Sequence, residues 1–97
     1  MIKIVARQVI RKDCIEQYRT LTKELVEKSC AEAGNVTYTS NQSLSDERVH
    51  CFIEIWKDQE AIDIHNASEH FQRIVPQLAE LFDEPETVEL YSEVAFE

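Results

Sequence analysis

The residues best suited to chemistry crowd into one stretch, Arg48 to Phe71, which holds all three histidines, the only tryptophan and a glutamate set between apolar neighbours. On an extended chain His50, Phe52, Glu54 and Trp56 share one face, and Cys51, Ile53 and Ile55 share the other. A carboxylate held between Phe52 and Trp56 on a covered face loses hydration, its pKa rises, and proton transfer becomes available to it. The same glutamate could instead form an ion pair with Arg7 or Arg48. Trp56 offers a surface for stacking a flat aromatic ligand, though core packing also accounts for it. Tyr38 and Tyr91 are candidate hydroxyl donors to a ligand oxygen, or edge-of-core residues. His65 and His70 can supply a general base near pH 7, where imidazole needs little tuning, or can bridge a helix junction. Their spacing of five is not the i, i+4 pair that one helix offers a metal. No acidic residue nearby completes a ligand set, so no metal site is expected.

The elements that must position these groups can be read from periodicity. Ile2 to Ile10 is a strand with apolar residues on both parities, as in a central strand covered on both faces. From Asp13 the period changes. Cys14, Ile15, Tyr18, Leu21, Thr22, Leu25, Val26 and Cys30 form a helical stripe, with Asp13 as N-cap, Glu16 completing a capping box and Gly34 as a left-handed C-cap. Asn35 to Leu44 and Arg48 to Trp56 make a hairpin around Ser45-Asp46-Glu47. Asp58 caps a short helix through Ala67, and Ser68 caps the next, with Phe71, Ile74, Val75, Leu78, Leu81 and Phe82 as its stripe. Pro76 predicts a kink or break in that stripe, and Pro85 ends it. Thr87 to Phe96 is a last strand. The order β-α-β-β-α-β predicts a ferredoxin-like α+β domain over residues 1–97, an antiparallel four-stranded sheet with helices on one face. The aliphatic set of the third strand is expected under the helices. The Glu54 set is expected on the opposite face, where a second subunit's sheet would cover it.

Composition narrows the function classes. Nineteen acidic against ten basic side chains give a net charge of −9, which disfavours nucleic acid and anionic membranes. No run approaches a membrane span, and no leader-like segment opens the chain. Cys14, Cys30 and Cys51 have neither framework nor metal spacing and read as small buried hydrophobes, which suits a reducing cytoplasm. One glycine cannot build a phosphate-cradling loop.

The run F-I-E-I-W-K-D-Q-E-A-I-D-I-H-N-A-S-E-H-F, Phe52 to Phe71, resembles the signature of the antibiotic biosynthesis monooxygenase domain family. It has an E-x-W, an acidic turn, an A-x-x-x-H and an S-x-H-F in that order, and E-A-G-N at Glu32 to Asn35 also matches. The resemblance covers the whole chain and implies a homodimeric α+β barrel with a pocket between each sheet and its helices. It further implies oxidation of a small phenol or quinol-type aromatic by O₂ with no metal, flavin or haem. The positions carried over are Glu54, Trp56, His65 and His70. In this reading His65 or His70 is the base, Glu54 orients it or relays the proton, Trp56 and Phe52 form a stacking wall, and Tyr38 and His50 complete the substrate site. The haem-degrading branch is a poor match, with Gln8 and Val75 where it holds haem iron. Similar enzymes isomerise a phosphorylated autoinducer sugar, so proton transfer without oxygen is an alternative, as is a non-catalytic metabolite-binding dimer.

Overall fold

The computed structural model describes residues 1–97. Its first strand, β1 (Ile2–Val9), buries Ile4, Ala6 and Gln8 on one parity and leaves Lys3 and Arg7 exposed on the other. A short 3₁₀ turn, Lys12–Cys14, leads into helix α1 (Ile15–Cys30). Tyr18, Thr22, Leu25 and Ser29 are buried at three- and four-residue steps along α1, the stripe that anchors it to the sheet. Asp13 lies in the 3₁₀ turn, and the N-cap is Cys14 with no side-chain bond, so the expected capping box does not form. Cys14 is half-buried and Cys30 exposed, against the expectation of buried thiols.

Gly34 also plays a different part from the one expected. No residue in the chain has positive φ. A Cβ at Gly34 would overlap the Cβ of Ala61, so the glycine is required by close packing. This contact seats helix α2 (Gln59–Asn66) against the turn that leaves α1.

Strands β2 (Asn35–Gln42) and β3 (Val49–Trp56) form the expected hairpin, and β4 (Thr87–Ser92) pairs with β1. The sheet is wholly antiparallel in the order β2-β3-β1-β4. Asp58 caps α2 by accepting from the Ala61 N–H, and Ser68 caps helix α3 (Glu69–Ala79) through the Phe71 N–H. The break expected at Pro76 is absent. The proline sits on an exposed part of α3, where water can serve the carbonyl that its missing N–H leaves free. With α2 and α3 sharing the second crossover, this is the ferredoxin-like βαββαβ α+β fold.

One expectation is inverted. His50, Phe52, Glu54 and Trp56 are all 5% exposed or less and lie under the helices, whereas Ile53 is 42% exposed on the bare face. The register explains it, since Glu54, Phe52 and His50 stand opposite Ile4, Ala6 and Gln8, the buried parity of β1. When both faces of a strand are rich in apolar groups, hydrophobicity does not say which one meets the helices. The helices cover the mixed aromatic and polar row, and the aliphatic row Val49, Cys51, Ile53 and Ile55 faces outward.

Candidate active site

Between the sheet and helices α2 and α3 lies a cavity of about 330 Å³. Its sheet side includes Ile4, Ala6 and Phe52, its helix side includes Ile62, Phe71 and Leu78, and Val88 and Leu90 of β4 complete the wall. Most of the lining is hydrophobic. The polar exceptions are Gln8, Tyr38, Glu54, Gln59, Asn66 and Glu86.

Glu54 is the chemically distinctive member. It is 5% exposed, between Ile4 of β1 and Tyr38 of β2 in the sheet register. The Trp56 indole Nε1–H donates to its Oε1 at 2.9 Å. Burial pushes its pKa up to about 7, against the opposing pull of the Trp56 hydrogen bond and with help from the charges of Glu86 and Glu32. At neutral pH this carboxyl can therefore both take and return a proton. The alternative ion pair is not formed, because Arg7 is exposed on the other parity and Arg48 engages Asp46 and Asp83.

Tyr38 is the cross-strand neighbour of Glu54. Burial, then the charge of Glu54, drives its phenol well above the ordinary range, so it stays protonated and can donate. Gln8 marks the other end of the cavity, where its Oε1 accepts from Tyr18 Oη at 2.5 Å and its Nε2 donates to Glu86. The sequence reading named neither Gln8 nor Glu86 as a site residue. Their signal is a polar residue at a buried strand position and an acid just before the last strand.

His65 and His70 are brought together, but away from the cavity. Glu32 stands between them, its Oε2 accepting from His65 Nδ1–H at 2.6 Å and from His70 Nε2–H at 3.0 Å. An acidic residue does complete this pair, contrary to the sequence expectation. It comes from the E-A-G-N turn, whose proximity to the α2–α3 junction depends on the Gly34–Ala61 contact. His65 is 2% exposed, and burial lowers its pKa while Glu32 partly restores it. None of Glu32, His65 and His70 lines the cavity. The link is Trp56, whose ring packs on His65 with centroids 4.5 Å apart while its N–H holds Glu54.

The remaining expected site residues divide in the same way. Phe52 and Tyr38 line the cavity. Trp56 is fully buried and does not, so it supports Glu54 from behind and offers no stacking wall. His50 also lies outside the lining, packed on Tyr18 at 4.8 Å with Nδ1 3.3 Å from the Arg48 carbonyl. Its Nε2 is buried without a partner, and burial lowers its pKa, which favours the neutral ring. Tyr91 bonds Glu89 on the bare face.

Comparison with known proteins agrees with this architecture. The family model described as antibiotic biosynthesis monooxygenase matches residues 1–77. The Bacillus subtilis protein YcnE, provisionally named a monooxygenase, is 32% identical over 85 residues, covering 88% of this chain and 90% of YcnE. A crystal structure of an antibiotic biosynthesis monooxygenase superposes with a TM-score of 0.94 at 36% identity, over 98% of this chain and all of the other. A conserved protein from Methanosarcina mazei Go1 gives 0.93 at 29% identity, over 96% of this chain and 92% of its own.

Proposed function

This chain belongs to the antibiotic biosynthesis monooxygenase family, and from that premise we propose that it oxidises a small phenol or quinol-type aromatic with O₂, using no cofactor. The observation that carries the reading is a carboxyl that titrates near neutrality, Glu54, buried in a mostly apolar cavity beside a protonated tyrosine. Glu54 takes the phenolic proton, and the resulting phenolate gives an electron to O₂. The superoxide and the ring radical join to form a C–O bond. Loss of water from the hydroperoxide leaves a quinone, with one oxygen atom in product and one in water. No outside reductant is needed. The Tyr38 hydroxyl steadies the charge left on the substrate oxygen, and the apolar walls exclude water from the radical pair.

This reading moves the base from the histidines to Glu54, since neither His65 nor His70 reaches the cavity. A phosphorylated sugar fits it poorly, because the 16 lining residues include two glutamates and no Lys or Arg. We further propose a homodimer in which the outward aliphatic row, with Ile53 at its centre, packs on the same row of a second copy. Its setting would be the cytoplasm, in keeping with three free thiols; no helix is long and apolar enough to cross a membrane.

The test is O₂ consumption by the metal-stripped protein against a panel of quinols and polycyclic phenols, with Glu54→Gln alongside. Uptake by the wild type that the variant loses supports the reading. Uptake that Glu54→Gln retains would remove Glu54 from the mechanism.

A further inference from the structure

The Glu32–His65–His70 cluster is left unused by the cavity chemistry, and its makeup is specific. Two imidazoles and one carboxylate come from three separate segments: the turn after α1, the last turn of α2 and the first turn of α3. The three possible ligand atoms, His65 Nδ1, His70 Nε2 and a Glu32 oxygen, lie within 4.8 Å of one another. Both imidazole nitrogens point at the same carboxylate oxygen. We propose that these residues bind one divalent transition-metal ion, Zn²⁺ being the best match.

Ligand chemistry selects that class. Calcium and magnesium call for oxygen ligands, which two imidazoles are not, and no thiol adjoins the cluster to favour a soft ion. Two His and one Glu suit a four-coordinate site with water in the last position. Bonds of about 2.0–2.1 Å place tetrahedral ligand atoms roughly 3.4 Å apart. The present hydrogen-bonded separations of 2.6 and 3.0 Å need only small side-chain shifts to reach that spacing. The ion would replace the two N–H protons that now bind Glu32, and the net charge of −9 favours its approach.

The position sets the role. His65 is 2% exposed while the His70 and Glu32 side chains are each 13% exposed, so the site opens to solvent on one side and is walled by Trp56 on the other. The ion would not touch the cavity. It would staple the α1–β2 turn to the α2–α3 junction, segments 33 and 38 residues apart in sequence, and so fix the His65 ring against Trp56. The inference stands apart from the oxygenase reading.

The experiment is titration of the metal-stripped wild-type protein with Co²⁺ and with Zn²⁺. One Co²⁺ per chain with the strong visible bands of four-coordinate cobalt is expected, displaced by Zn²⁺. The unfolding temperature should rise by roughly 10–20 °C at a hundredfold excess of Zn²⁺ over Kd. His70→Ala, at the solvent side of the cluster, should lose both effects while melting cooperatively in chelator. Only the weak bands of six-coordinate aquo cobalt in the wild type, or full binding retained by His70→Ala, would overturn the proposal. If His70→Ala does not fold, the wild-type cobalt spectrum alone decides.

Discussion

Glu54 and Glu32 lie on either side of the same tryptophan, and their settings teach opposite lessons. Glu54 is buried beside Phe52, Tyr38 and an empty volume, with one N–H for a partner, so its charge is poorly compensated and its proton is held until about pH 7. Glu32 faces two imidazole N–H groups and fastens three segments together. A carboxylate deprived of partners becomes a proton carrier, and one with a full set becomes a fastener. Trp56 belongs to both, with its face on the fastener and its N–H on the carrier.

The largest expected effect separates the two. Glu54→Gln keeps the shape but cannot accept a proton, and should lower kcat by roughly 10²–10⁴-fold, the usual worth of a positioned acid–base group. Its effect on stability should run the other way. The folded-state pKa lies above the ordinary glutamate value of 4.5. The native state therefore holds this proton more tightly, and that contribution is complete below about pH 4.5 and lost as pH rises through about 7. At pH 8 the variant should be the more stable, by at most about 3 kcal/mol, the ceiling set by a shift of that size. Denaturant unfolding at pH 5 and pH 8 measures the difference. Equal stability of the two proteins at pH 8 would mean that Glu54 is not desolvated.

Next in size is the support beneath Glu32. Gly34→Ala should cost about 1–3 kcal/mol by pressing a methyl group into Ala61, and pairing it with Ala61→Gly should recover most of the loss. Failure of that rescue would separate the E-A-G-N turn from α2.

How much of this was readable beforehand follows the same division. Element order, both crossover helix caps and the split at Ser68 came from local signals, because caps and periods are written in neighbouring residues. Glu54 was recognisable from its apolar neighbours. The face on which it lies was not, since Val49, Ile53 and Ile55 resemble a core row as closely as Phe52 and Trp56 do. Only the pairing with Ile4 and Ala6 settles it. Glu32 was invisible as a partner of the histidines for a related reason, as 33 residues separate it from His65 and the contact depends on how a turn docks. Pro76 misled because a proline on an exposed helix face can be served by water.

The smallest effects concern the shared tryptophan and the outward face. Trp56→Phe removes the one hydrogen bond that lowers the Glu54 pKa, so the acid limb of the kcat/KM profile should move to higher pH, while Glu32→Gln removes a charge that raises it and should move the limb slightly to lower pH. Ile53→Lys should convert the proposed dimer to monomer in light scattering with little change in cavity chemistry, and an unchanged dimer would place the interface elsewhere.

The most direct measurement is the titration of Glu54 itself, followed through its side-chain carboxyl carbon by NMR, with Glu54→Gln to assign the resonance. The account predicts a midpoint near pH 7, moved upward in Trp56→Phe. A midpoint near the ordinary 4.5 would contradict it, leaving the cavity without a proton carrier.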